Sequence, residues 1–131
     1  MTKFAILCVD DEPLILNSVI RQLQDEFEGK YIYEAAESAE EALEVLAELE
    51  EEGIKTIVIV SDWLMPGMKG DEFLVEVHKK FPKVVKILLT GQADEAAIER
   101  ANKDAALHRY IAKPWEKKDL IGAIISGLEK L

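Results

Sequence analysis

The feature that most restricts what this chain can fold into is a set of strand-length apolar runs that hardly alternate: residues 4–9, 57–60 and 84–89. A strand with one wet face alternates apolar and polar side chains, whereas a strand of a parallel sheet covered by helices on both faces reads as near-continuous apolar sequence. Amphipathic segments of helical period separate the runs, with no internal repeat, low-complexity tract or Pro/Gly/Ser linker between them. The alternation predicts repeated strand–helix units and hence a doubly wound α/β sandwich, with helices on both sides of a parallel sheet.

Local signals agree with this reading. After the first run, Ile15, Val19, Leu23 and Phe27 recur at helical spacing, with Pro13 in the first turn, where a missing N–H does no harm. Residues 31–35 read as a second, more polar strand. Ser38 and Glu41 then form a capping box for a helix with Ala39, Ala42, Leu43, Leu46 and Leu49 inward. The third strand stops at Asp62, and the loop Pro66-Gly67-Met68-Lys69-Gly70 leads to a helix that turns Phe73, Leu74, Val77 and Phe81 inward and ends near Pro82. The fourth strand finishes at Thr90. Asp94 is the expected cap of a fourth helix with a thin inward side of Ala97, Ile98 and Ala101. Residues 110–112 make a short fifth strand before Lys113-Pro114, and a last helix carries Leu120, Ile124 and Leu128.

With 131 residues, the chain is expected to form one domain over residues 1–131, burying about two thirds of the surface its unfolded form exposes. No apolar stretch reaches the roughly 18 residues of a membrane span, and residues 1–5 lead into a strand with no signal-peptide cleavage site. Cys8 is the single cysteine and lies in the first apolar run, which suits a reducing compartment; the expected location is the cytoplasm. A net charge of −10 repels a phosphate backbone and argues against direct nucleic-acid binding. Eight glutamates from Glu37 to Glu52 read as a solvated acidic face, and His78 and His108 read as surface residues.

Ligands of doubly wound sheets sit beyond the carboxyl ends of the strands, where winding reverses. The residues at those ends are Asp10, Asp11, Asp62, Thr90 and Lys113. Converging carboxylates repel by about 4 kcal/mol per close pair at an effective dielectric near 20, so a cation is expected among them. Hard oxygen ligands without Cys or His suit Mg²⁺ or Mn²⁺. Each residue also has an ordinary reading: Asp10 and Asp11 as helix caps, Asp62 as a turn residue satisfied by loop N–H groups, Thr90 as a strand end, and Lys113 as a solvated lysine.

In combination, Asp10-Asp11, Asp62 followed by Met65-Pro66-Gly67, Thr90, and Lys113-Pro114 resemble a two-component response-regulator receiver domain of the chemotaxis-regulator type, over essentially the whole chain. The resemblance implies a (βα)5 flavodoxin-like three-layer fold with sheet order 2-1-3-4-5. It implies a role in which Asp62 accepts a phosphoryl group from a sensor histidine kinase or phosphotransfer protein. It implies that Asp11, Asp62 and the backbone carbonyl of Leu64 ligate Mg²⁺ directly and Asp10 partly through water. Thr90 and Lys113 then contact the phosphoryl group, across a cis Lys113–Pro114 peptide. Tyr110 falls at the family's switch aromatic, although a half-buried strand tyrosine is the ordinary alternative. Signalling is expected through the face of helix four, strand five and helix five, where Ile121 and Ile125 widen the apolar stripe; these residues either support a homodimer or docking face or complete the core. Trp115 is expected to pack beside the lysine loop. Phosphorylation and dephosphorylation would be self-catalysed, not those of a conventional enzyme. No output domain is visible after the last helix, so a free-standing regulator and an excised portion of a longer one both stay open.

Two other classes compete. Phosphatases that form aspartyl-phosphate intermediates place the nucleophile on the first strand as Asp-x-Asp, but here that strand ends Asp10-Asp11-Glu12-Pro13. A flavodoxin-like flavin carrier needs a Ser/Thr/Gly-rich phosphate cradle after the first strand, where this chain has two carboxylates.

Overall fold

A computed structural model describes residues 3–91 and 95–131. In chain order they form β1 (Lys3–Val9), α1 (Pro13–Phe27), a 3₁₀ turn (Glu28–Lys30), β2 (Ile32–Ala36), α2 (Ala39–Glu51), β3 (Ile54–Ser61), α3 (Gly70–Lys80), β4 (Val85–Thr90), α4 (Glu95–Asp104), β5 (Arg109–Ala112) and α5 (Lys117–Leu128). All strand pairs are parallel and the order is β2-β1-β3-β4-β5, the doubly wound (βα)5 topology that the apolar runs and the resemblance predict.

Successive strand residues point to opposite faces, and both faces are dry. Ile6, Cys8, Val58, Val60, Ile87 and Leu89 pack with Leu16, Val19, Leu23 and Phe27 of α1 and Leu120 and Ile124 of α5. Leu7, Val9, Ile59 and Leu88 pack on the other face with Ala42 and Leu46 of α2 and Phe73, Leu74 and Val77 of α3. Burial of each large apolar side chain contributes about 1.5–3 kcal/mol, which is why these strands do not alternate. The edge strands β2 and β5 are covered less completely and are correspondingly more polar.

Several local expectations shift by a residue. In α1 the fully buried stripe is Leu16, Val19, Leu23 and Phe27; Ile15 stands at its margin and is half-buried, because one residue turns about 100° around the axis. Tyr31 lies outside β2 and meets Phe27 edge-on at 5.5 Å. Ser38 Oγ accepts the Glu41 N–H at 3.1 Å as the capping box requires, but the Glu41 carboxylate accepts from Glu37 N–H, one residue before the cap. Gly53, at φ 76°, makes the turn into β3 that a side chain would strain. The expected cap Asp94 lies outside the described residues. The two histidines are corrections: neither is a plain surface residue. His108 is half-buried with Nε2 2.8 Å from Ser126 Oγ, and His78 has a buried Nδ1 with no hydrogen-bond partner among the described residues.

Candidate functional site

The residues that follow the strand ends keep the sheet's hydrogen-bonding for one more step, and this aims their side chains. Asp10 N–H donates to Ala36 O at 3.1 Å, Asp62 N–H to Val9 O at 2.8 Å and Lys113 N–H to Thr90 O at 3.0 Å. Each is thus pinned to a neighbouring strand rather than carried by a free loop, and the side chains converge beyond β1, β3 and β4. The loop after Asp62 folds back so that Gly70 N–H reaches Trp63 O at 2.8 Å. Gly70 also lies so close to the Asp62 carbonyl oxygen that a Cβ there would collide with backbone. A glycine is therefore needed eight residues after the aspartate.

Asp10 and Asp62 are 3% and 5% exposed. Lys113 Nζ lies 2.9 Å from Asp10 Oδ2 and 3.2 Å from Asp62 Oδ1, so one ammonium bridges two buried carboxylates. The other Asp10 oxygen accepts the Glu12 N–H at 2.9 Å, an Asx-type turn just ahead of α1; the cap of α1 is Glu12, with no side-chain cap hydrogen bond, so the capping reading of Asp10 and Asp11 gives way to the ion pair and the turn. Burial first, then the facing Asp10 carboxylate, push Asp62 up to about 6, against the pull of Lys113 and the Trp63 backbone N–H. Burial works to lower the Lys113 pKa, but hydrogen bonds and charge from Asp10 and Asp62 outweigh it, and the net direction is upward. One cation among several acids leaves the cluster short of positive charge.

Asp10, Asp11 and Asp62 each offer a carboxylate oxygen, all within 4.8 Å of one another, in an arrangement able to hold a metal ion. An all-oxygen set on a cleft of this kind fits a hard divalent cation. The cleft, about 570 Å³, is lined by Asp11, Glu12, Asp62, Leu64, Met65, Pro66, Thr90, Gly91 and Lys113. A larger groove of about 1150 Å³ runs along the opposite ends of the strands, but Glu50 is the only acidic side chain among its described lining residues, so volume and chemistry point to different places. Reactive groups converge in the smaller one.

A family model for the response regulator receiver domain matches residues 6–125. The chain belongs to the receiver family. This receiver is 33% identical to the hydrogenase transcriptional regulatory protein HoxA of Cupriavidus necator over 95% of its length, and 34% identical to the sensor kinase CckA of Brucella abortus over 95%. It spans only 24% of HoxA and 12% of CckA. Among solved structures, a CheY-like response regulator receiver domain protein from Methanospirillum hungatei superposes with a TM-score of 0.84 at 33% identity, covering 99% of this chain and 96% of that one. The beryllofluoride-activated NtrC4 receiver domain dimer superposes with a TM-score of 0.82 at 26% identity, covering 96% and 97%. No helix among the described residues is long and apolar enough to cross a membrane.

The receiver fold brings together every strand-end residue singled out in the sequence. Thr90 is buried and lines the cleft with Gly91. Leu64 lines it from the loop, and the Lys113–Pro114 peptide is cis. Trp115 packs on the α1/α5 core and donates its indole N–H to Gln22 Oε1 at 2.8 Å. Tyr110 is exposed at 38%, more open than the half-buried strand tyrosine. Ile121 completes the core while Ile125 is 41% exposed. Sequence reasoning missed two buried ionic features. Asp71, in the first turn of α3, binds both Trp63 and Arg100. Lys86, inside β4, donates to Val84 O at 2.9 Å and Pro82 O at 3.5 Å. Asp71 resembles any helix-start acid, and no local signal names its distant partner; the lone lysine in an otherwise apolar run was the available clue to Lys86.

Proposed function

We propose that this receiver accepts a phosphoryl group on Asp62 from a phosphohistidine of a sensor kinase or phosphotransfer protein, and that the domain comprises residues 1–131. The observation that carries the reading is the convergence of Asp62 with Asp10, Asp11 and the Lys113 ammonium in one cleft. In the transfer, a bond forms between an Asp62 carboxylate oxygen and phosphorus while the phosphorus–nitrogen bond of the donor breaks, and the imidazole leaves and takes up a proton. Asp10, Asp11, Asp62 and the Leu64 carbonyl are the groups that would hold Mg²⁺, or Mn²⁺. When bound, the ion supplies positive charge that lets an anionic donor approach an acidic cleft. Lys113, held between Asp10 and Asp62 at rest, is within reach of a phosphoryl oxygen afterwards. Thr90 offers its hydroxyl from the strand end.

The added negative charge then draws Thr90 and Lys113 inward and shifts the α4–β5–α5 face, with Tyr110 as the aromatic that changes position. α4 suits an element that moves, since its buried residues are only Ala97 and Ala101. Exposed Tyr110 and Ile125 give that face apolar surface for a homodimer or an output partner, and the NtrC4 relative is a dimer in its activated form. The setting is the cytoplasm. Intact-mass and peptide analysis after incubation with acetyl phosphate and Mg²⁺ should place one phosphoryl group on Asp62. A modification that persists unchanged in Asp62→Asn refutes the assignment.

A further inference from the structure

Beyond the cleft, one buried ionic chain has no part in the chemistry just described. Asp71 is 1% exposed, and both its carboxylate oxygens are engaged: Oδ1 accepts the Trp63 indole N–H at 2.9 Å and Oδ2 accepts Arg100 Nη1 at 2.5 Å. Trp63 directly follows Asp62, its carbonyl fixes Gly70, and its ring lies 5.3 Å from the Lys69 ammonium. Arg100 sits in the middle of α4 and is half-exposed. The chain Trp63–Asp71–Arg100 therefore runs from the residue beside Asp62 to the helix with the thinnest apolar attachment.

We infer that Asp71 is a positioning residue that ties the Asp62 loop to α4 through Trp63 and Arg100, so that the Asp71–Arg100 pair biases α4 toward its resting position. The inference rests on the reading of Asp62 as phosphoacceptor. The physical reason is an asymmetry of burial. When α4 shifts, Arg100 returns to water at little loss, but Asp71 stays buried with a single neutral donor, and a buried carboxylate without its cation is strongly disfavoured. Any group at Asp62 that moves α4 must work against this pair, and by linkage a weaker pair makes the moved state easier to reach from the Asp62 side. An ion pair that merely packs α3 against α4 gives no such link.

Arg100→Gln tests it, since the residue is half-exposed and its truncation leaves the core intact; Arg100→Lys keeps the charge as the conservative variant. Two quantities are measured. The first is amide hydrogen exchange of α4 in the resting protein without additives. The second is the beryllofluoride concentration, at fixed Mg²⁺, that half-converts the Trp63 indole N–H resonance. Arg100→Gln should speed α4 exchange by about tenfold, the weight of one charge-assisted hydrogen bond, and lower the half-conversion concentration several-fold, with Arg100→Lys closer to wild type in both. Unchanged α4 exchange overturns the tether. Faster exchange with an unchanged beryllofluoride response overturns the coupling. A wild-type protein that fails to respond to beryllofluoride removes the Asp62 reading and the coupling with it, a result told apart because the exchange measurement does not depend on that site.

Discussion

Replacing Asp62 by asparagine should stabilise this protein, although it removes the group on which the proposed function depends. In the metal-free protein the Asp62 carboxyl is displaced from 3.8 to about 6, by burial first and by Asp10 second, which corresponds to about 3 kcal/mol against the ionised form at neutral pH. The folded state therefore holds a proton that the unfolded chain has released between these two values. The contribution of this one group to stability is greatest below about 4, falls as pH rises to about 6 and stays at the lower level above. The asparagine side chain carries no charge at any pH. Allowing roughly 1 kcal/mol for a less favourable contact with the Lys113 ammonium, the Asp62→Asn variant should gain about 2 kcal/mol at pH 7.5. That is equivalent to a rise of several degrees in Tm, and the gain should disappear near pH 4. Urea denaturation in EDTA at a series of pH values measures this directly. Magnesium at millimolar concentration should raise the stability of the wild type and raise that of Asp62→Asn less, because binding only to the folded state stabilises by mass action. A variant that is no more stable than wild type at pH 7.5, or equally displaced at every pH, would refute the argument that the acidic cluster is held under electrostatic strain.

Other parts of the structure are equally open to test. Gly70→Ala forces a Cβ into the Asp62 carbonyl and the Trp63 Cα; a loss of more than about 3 kcal/mol in urea denaturation or a displaced Asp62 loop is expected, and a neutral substitution would contradict the close approach. Burial lowers Lys86 from 10.5 to about 8, so the unfolded chain binds more protons between those values and wild-type stability gains a contribution that rises with pH across that window. Lys86→Met should lack that contribution, and parallel stability curves of the two proteins from pH 7.5 to 10 would rule it out. Burial pushes the Cys8 thiol up to about 12, so a thiol reagent at pH 8 should label Cys8 only on unfolding. Labelling of the native protein at the unfolded rate would show that the α1/α5 face of β1 is not closed.

Much of this receiver was legible in the order of its residues. The apolar runs could not be one-sided strands, so the parallel sheet and its two helical layers followed from hydrophobicity alone, and winding topology then sent Asp10, Asp11, Asp62, Thr90 and Lys113 to one edge. Ser38 announced α2 because a cap is a contact between residues near in sequence. Element edges were less legible: Ile15 against Leu16, or Tyr31 against Ile32, differ by one residue's rotation or one ladder step, and packing decides between them.

What the sequence by itself determined is the set of contacts whose partners are fixed by period or by strand-end position. Only the tertiary structure decided that Asp71 meets Arg100 from 29 residues away, that it also holds the Trp63 indole, and that the Lys86 ammonium turns back onto the Val84 and Pro82 carbonyls. The reason is that burial of a charge depends on the distances among elements docked from distant parts of the chain. Those distances exist only once the helices are seated on the sheet.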